Sequence, residues 1–285
     1  MMSVFPLNYF STAFSARKIF INRDYLKHWQ KILIILVLNS LLMLPLSLQL
    51  GRLTNEDLTH YTPQAMNFID QSVVESLRLL ENSGLTLEIH ELSVIKEEEE
   101  KLIALAPTLT EAVDLLNGRI GVVYTPDEFI LAEEGEAVFY QPYTLEPALN
   151  QLSNVDELKE LMSQQWFWSN RTSIIITNFI YITILVLTSL LLLILGASFI
   201  LSLMNRMEAF DIQSYNQALT IVLNCLGLPT LIAMIVGLVS TTPTTMLTVQ
   251  GLLFVLMLIW VYWKTHFNDE YVANSNSKEV KTTEN

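Results

Sequence analysis

Four stretches of this chain are almost continuously apolar, and the segments between them are polar or mixed. About 20 mostly apolar residues suffice for a helix to cross the hydrocarbon core of a bilayer. Residues 32–50 form the first such stretch, with Pro45 near its far end as an expected kink. The second, 173–204, exceeds one straight crossing at about 1.5 Å per residue, so it must tilt or continue out of the bilayer. The third, 218–239, contains Gly227 and Pro229, and the fourth is 246–263. Ser-Thr-Thr-Pro-Thr-Thr at 240–245 reads as the turn between the last two.

The long insert at 51–172 has other periods. Ala65, Phe68, Ile69, Val73, Leu77 and Leu80 recur at three- and four-residue spacing and predict one helix over 63–82, ended by Asn82-Ser83-Gly84. Partial alternation predicts a strand over 85–95. A helix is expected near 110–116, then strands at 120–124, 129–131 and 137–140. A last helix near 155–165 runs into the second span. The predicted fold class is an α-helical polytopic membrane protein with about four transmembrane helices and an inserted small α+β extracytoplasmic domain.

Charge follows the same partition. The chain has 285 residues, is 51% hydrophobic and 16% charged, and carries a net charge of −13. Between Arg52 and Asn170 there are 22 acidic and 6 basic residues, whereas 173–263 holds only Arg206, Glu208 and Asp211. An acidic insert excludes nucleic acid as its partner, since phosphate backbones are held by Lys and Arg. Arg17, Lys18, Arg23, Lys27 and Lys31 precede the first span and place the N-terminus in the cytoplasm by the excess of cations on that side. The expected layout is therefore a basic cytoplasmic segment (1–31), an uncleaved signal-anchor span (32–50), an outer domain (51–172), a span (173–204), a cytoplasmic loop (205–217), two spans (218–239 and 246–263) and a cytoplasmic tail (264–285). The basic arm mixes its cations with Tyr9, Phe10, Phe14, Ile19 and Phe20. It is expected either to lie in the headgroup layer or to pack on the bundle. A lipid-regulatory role for its cations is a lesser reading.

Candidate chemistry is sparse. Glu97–Glu100 reads as a solvated helical face, and Glu133, Glu134 and Glu136 as solvated residues flanking a turn, because carboxylates must converge on one point to hold a cation. His28, His60, His90 and His266 have no metal-ligand spacing, and Cys225 is the single cysteine. There is no zinc-protease helix motif, nucleophile elbow or phosphate-binding glycine loop. No metal site, cofactor or catalytic residue is expected. The spans carry no Asp, Glu, Lys, Arg or His, which speaks against an ion-coupled pump. Asn39, Asn178, Asn224 and Gln250 are expected to form interhelical hydrogen bonds, and Ala233-x-x-x-Gly237 suits a close helix contact.

The basic aromatic N-terminus (Tyr9-Phe10, Phe14, Arg17-Lys18), Leu44-Pro45 closing the first span, and Tyr215-Asn-Gln-Ala-Leu-Thr followed by Leu228-Pro229 together carry a family likeness. The chain resembles the bacterial membrane proteins of domain of unknown function 1189, some of which are named maltodextrin-utilisation proteins of the MalA and YvdJ type. The resemblance implies a multi-pass protein of a Gram-positive plasma membrane with a link to sugar uptake, and it brings no active site with it. Its partners would be the lipid bilayer and other membrane proteins, a sugar transporter among them. The leading reading is a non-enzymatic accessory or sensing protein. The alternatives are a permease-like transporter component and, last, a membrane-embedded enzyme. Glu208-Ala209 followed by Leu228-Pro229 faintly resembles the coupling loop of sugar permeases, without its central glycine.

Overall fold

The computed structural model describes residues 7–133, 137–146, 149–204, 210–240 and 242–274. The chain divides into two compact units, one of residues 53–176 and one of residues 1–52 with 177–285.

The first unit is built on a five-stranded sheet in the order β3-β4-β5-β6-β7. Its strands are β3 (Ser93–Glu98), β4 (Lys101–Leu105), β5 (Ile120–Tyr124), β6 (Glu128–Glu133) and β7 (Ala137–Pro142). All neighbours are antiparallel except β4 and β5, which run parallel. A parallel pair needs a crossover, and α6 (Leu109–Leu116) supplies it. Thr108 caps α6 by accepting a hydrogen bond from the Glu111 N–H. Ala112 and Leu116 bury one sheet face against Leu102, Ala104, Val123 and Ile130. The other face, with Ile103, Val122, Tyr124, Phe129 and Leu131, is covered by α4 (Pro63–Phe68), α5 (Gln71–Leu77) and the start of α7 (Val155–Leu203). The central strands are buried on both faces, which explains why they read as continuous apolar runs.

Four expectations are corrected. The single strand expected over 85–95 is not formed: only Thr86–Leu87 and, from Ser93 onward, β3 are strand there. The helix expected over 63–82 is broken at Ile69–Asp70, because Asp70 leaves helical geometry to cap α5, accepting from the N–H and the hydroxyl of Ser72. Asn82-Ser83-Gly84 does not end that helix but turns a small hairpin of β1 (Asn82–Ser83) and β2 (Thr86–Leu87), with Gly84 at φ +68°. The Glu97–Glu100 run is no helical face either. Glu97 and Glu98 end edge strand β3, and Glu99 takes the turn into β4 at φ +48°. Charge on an edge strand discourages pairing with another sheet.

Lys96 on β3 ties this edge to α5. Its Nζ lies 2.7 Å from an Asp70 carboxylate oxygen and 4.2 Å from the Phe68 ring centre. The Lys96 hydrogen bond, with those of Ser72, holds the Asp70 carboxyl at about 2. A carboxyl depressed in the folded state stabilises the fold above its unfolded value, near 3.8, and loses that contribution as pH falls through about 2. The group is half exposed, so the contribution is below about 1 kcal/mol. The stability advantage of the wild type over Asp70→Asn is expected to be present at pH 5 and to vanish between about pH 4 and pH 2. Thermal unfolding across that range measures it, and an advantage that persists at pH 2 contradicts the assignment.

The second unit is helical. It contains α1 (Leu7–Ala13), α2 (Ala16–Ile21), α3 (His28–Gly51), the C-terminal part of α7, α8 (Tyr215–Val239) and α9 (Pro243–Thr265). α3, α7, α8 and α9 are each long and apolar enough to cross a membrane. α7 is a single helix of 49 residues, about 73 Å at 1.5 Å per residue. α9 starts inside the expected turn because Pro243 sits at its first positions, where a missing N–H costs nothing. α8 is the most buried of the four and the centre of the unit. α3 and α9 flank it, and α7 joins through Val186, Leu190, Ile194 and Leu201.

Candidate functional site

The α+β unit has one open polar cavity of note, of about 420 Å³. One wall is a face of α7: Asp156, Lys159, Glu160 and Ser163 stand three and four residues apart and so point the same way. The facing wall is the segment carrying Asn55, Asp57 and Thr59. The Ser163 hydroxyl accepts the Leu58 N–H at 3.1 Å and pins the two walls together. Asp57 accepts the Thr59 N–H at 2.8 Å, and hydrogen bonds from Thr59 hold its carboxyl below the usual range. The buried Asn55 Oδ1 has no hydrogen-bond partner. Next along the same elements, Tyr61 and Trp166 pack with ring centres 4.7 Å apart. Carboxylates, an amide, an ammonium and hydroxyls set around a cavity beside an aromatic pair can hydrogen-bond a neutral polyhydroxylated ligand. They are poorly placed for a metal: among the described residues no three His, Cys, Asp or Glu side chains converge.

Elsewhere in this unit the polar groups serve the fold. Glu133, expected in a solvated turn, accepts the Gln64 and Ala65 N–H groups at 2.8 and 3.0 Å and closes the start of α4; Glu134 and Glu136 lie outside the described residues. Glu133→Ala is expected to destabilise the unit by about 1.5–3 kcal/mol, the range for hydrogen bonds to a charged group. Urea unfolding followed by tryptophan fluorescence tests this, and an unchanged midpoint contradicts it. Burial pushes the Tyr124 and Tyr143 phenols well above their ordinary range, so neither acts as an acid or base near neutral pH.

In the helical unit the N-terminal arm is docked on the bundle, with α1 against α8 and α2 against α9. The Tyr9 hydroxyl donates to the Leu223 carbonyl at 2.9 Å, and Ala13 faces Gly227. Arg23 makes a two-pronged pair with Asp269 at 3.0 and 2.6 Å and lies over the Phe20 ring. Lys31 is buried and donates to the Asn216 carbonyl and Oδ1 at 2.8 and 2.6 Å. Gln217 donates to both carboxylate oxygens of Asp24 at 3.0 Å. Arg23 and Lys31 thus hold the bundle together. Lys18 and Lys27 are exposed and Arg17 is half-buried.

The residues singled out inside the spans are dispersed. Asn39 is half-buried, with its Oδ1 unpartnered; Asn178 is half-buried on α7; Asn224 is buried in α8. The structure does not bring the three together into one site. Ala233 packs among Leu42, Leu46, Val186 and Met246. At Gly237 a Cβ would come within 2.7 Å of the Met246 Sδ and 2.9 Å of the Pro45 Cγ. Polar contacts between the long helices come from Gln250, an amide expected in that role, which donates to the Thr230 hydroxyl at 2.9 Å, and from Gln49, not singled out for it, which donates to the Gly237 and Ser240 carbonyls at 3.0 and 2.7 Å. Glu208 and Ala209 lie outside the described residues.

The chain is similar to the maltodextrose utilization protein MalA of Streptococcus pneumoniae (strain ATCC BAA-255 / R6). The two are 26% identical over 269 residues, covering 94% of this chain and 98% of MalA. No family model matches the chain, so the resemblance to domain of unknown function 1189 is not carried by one, and no solved structure matches. The likeness to MalA therefore spans both units. Tyr215-Asn-Gln-Ala-Leu-Thr, which carried the family likeness, begins α8. Its Asn216 and Gln217 hold Lys31 and Asp24, and so fasten α8 to the chain leading into α3. The polar cavity escaped sequence reasoning because its walls lie about a hundred residues apart; the recurrence of Asp156, Lys159, Glu160 and Ser163 on one helix face was the available signal.

Proposed function

We propose that this chain is a non-enzymatic integral membrane protein that serves maltodextrin utilisation as an accessory or sensing component. Its α+β unit faces the outside of the plasma membrane, and both termini face the cytoplasm. The observation that carries the link to maltodextrin is the end-to-end similarity to MalA, which covers nearly all of both chains. Four helices long and apolar enough to cross a membrane support the placement in the bilayer. An even number of crossings puts the termini on one side, and the cations before α3 put that side inside. The polar cavity of the α+β unit is the place where an external ligand would be hydrogen-bonded, and α7 runs from that cavity wall into a span.

Deleting the gene is expected to slow growth on maltodextrin as sole carbon source and to leave growth on glucose unchanged. Equal growth on both removes the assignment. Uptake of labelled maltodextrin at normal permease levels separates an accessory role from a transporter component. Placement is tested with a protease of broad specificity added to intact cells. Cleavage within the exposed Glu97–Glu100 turn, with the N-terminal arm spared, is the expected pattern, and the reverse pattern inverts the topology.

A further inference from the structure

The helical unit carries two cavities that share one residue. The first is a wholly apolar groove of about 210 Å³ between α8 and α9, lined by Pro229 and Ile232 on one side and Leu253, Leu256 and Trp260 on the other. The second, of about 280 Å³, is lined by Phe14, Ser15 and Arg17 of the N-terminal arm and by Trp260 and Lys264 of α9. Trp260 lines both, so the apolar groove and a pocket with two cations and a hydroxyl adjoin at its side chain. On α9, Leu253, Leu256, Met257, Trp260 and Lys264 lie at helical spacing and form a single stripe. Eleven steps of about 1.5 Å make that stripe about 16 Å long, comparable to most of one lipid leaflet. Its apolar length leads into the span, and its charged end stands where α9 closes, at Thr265.

We propose that these adjoining cavities are a binding site for an anionic phospholipid, with an acyl chain along the groove and the headgroup phosphate between Arg17 and Lys264. Three features favour a lipid over a free anion. The cationic pocket shares its Trp260 wall with an apolar groove and not with a polar one. The groove lies on helices long and apolar enough to span a bilayer. Its hinge is a tryptophan, a residue suited to the boundary between apolar and polar layers. The choice of an anionic headgroup over a zwitterionic one rests on two cations, each supplying about a fivefold preference at such a surface. Because the site joins the docked arm to α9, lipid in it would fasten α1 and α2 to the bundle. The proposal goes beyond the role in maltodextrin utilisation and does not depend on it.

The test uses the full chain in vesicles of phosphatidylcholine with phosphatidylglycerol, one or the other brominated on its acyl chains. Bromine quenches nearby tryptophan, and the signal of Trp260 is isolated by subtracting a Trp260→Phe sample. Quenching by brominated phosphatidylglycerol is expected to exceed that by brominated phosphatidylcholine by at least about fivefold in relative affinity, and the Arg17→Gln/Lys264→Gln variant to bring the ratio close to one. The variant counts as folded if amide exchange within α8 matches the wild type. Where it does not, the single variant Lys264→Gln replaces it, with a ratio between the two extremes expected. Equal quenching by the two lipids in the wild type overturns the proposal. So does full displacement of the phosphatidylglycerol effect by millimolar inorganic phosphate, which would make the pocket a site for the free anion.

Discussion

Gly121→Ala is expected to unfold the α+β unit while leaving the helical unit intact. Gly121 lies in β5, between Leu102 of β4 and Ala132 of β6, and its φ is +152°, a value that side-chain-bearing residues rarely adopt. A Cβ there would fall 1.8 Å from the Leu102 carbonyl oxygen and 2.8 Å from its carbonyl carbon. Both obstructing atoms are backbone, so no rotamer change relieves the overlap. Relief requires moving β4 away from β5, and that pair is the only parallel one in the sheet, held together by the α6 crossover. Displacing it would open both apolar layers at once, since Leu102 and Val123 face α6 while Ile103 and Val122 face α4. The expected cost is roughly 5 kcal/mol or more, in the range that comes only from core disruption or backbone strain. A domain of this size has total stability of about 5–15 kcal/mol. Limited proteolysis of the full chain in detergent should therefore degrade residues 53–154 rapidly and leave a protected helical fragment. Wild-type resistance of that segment would show that the strand tolerates a side chain and that the close approach is not tight.

Much of the architecture was legible because its physical causes are local. An apolar run of about 20 residues has few alternatives to a membrane-crossing helix, and those of α3, α7, α8 and α9 are visible without any knowledge of contacts. The central strands β5 and β6 were legible for a related reason: strands covered on both faces need apolar residues at nearly every position. Where periodicity was ambiguous the reading went astray. Phe68, Ile69, Val73 and Leu77 keep helical spacing straight through the break between α4 and α5, and only Asp70 followed by Ser72, the pattern of a new cap, betrays it. Glu97–Glu100 resembled a helical face because β3, an edge strand, has few buried positions to impose alternation. The long-range features were beyond local reading. Tyr9 and Leu223 are 214 residues apart, and the Arg23–Asp269 pair is separated by 246. Neither partner carries a pattern that names the other. The cations up to Lys31 were legible as charge, but Arg23 and Lys31 bond within the bundle, a use that charge counting does not distinguish from facing lipid headgroups.

The docking of the N-terminal arm leads to the second large expected effect. Gly227→Leu should release α1 from α8 without breaking up the four long helices. A Cβ at Gly227 would stand 2.7 Å from the Ala13 Cβ and 3.1 Å from the Tyr9 hydroxyl. Carbon atoms in good contact are about 3.5–4.0 Å apart, so even alanine forces α1 outwards by roughly 1 Å. The Ala13 Cβ is fixed to the backbone and cannot rotate away. Leucine adds three more carbons into a space already filled by Tyr9, and the Tyr9–Leu223 hydrogen bond cannot survive the shift. That bond and the packing around it together contribute at least about 1.5 kcal/mol. Local opening of the arm should then rise at least about tenfold. Hydrogen exchange read by mass spectrometry on peptides covering α1 measures this, with peptides from α8 and α9 as the internal control. A second variant separates steric release from general misfolding: Ala13→Gly placed with Gly227→Ala removes the opposing methyl and should restore most of the lost protection, a coupling that distant or unrelated sites do not show. Unchanged exchange in α1 of Gly227→Leu would mean that the arm is not held by this contact. Failure of Ala13→Gly to compensate would place the damage elsewhere in α8, for example at Pro229, two residues further along the same helix, where the missing N–H leaves a backbone hydrogen bond unmade.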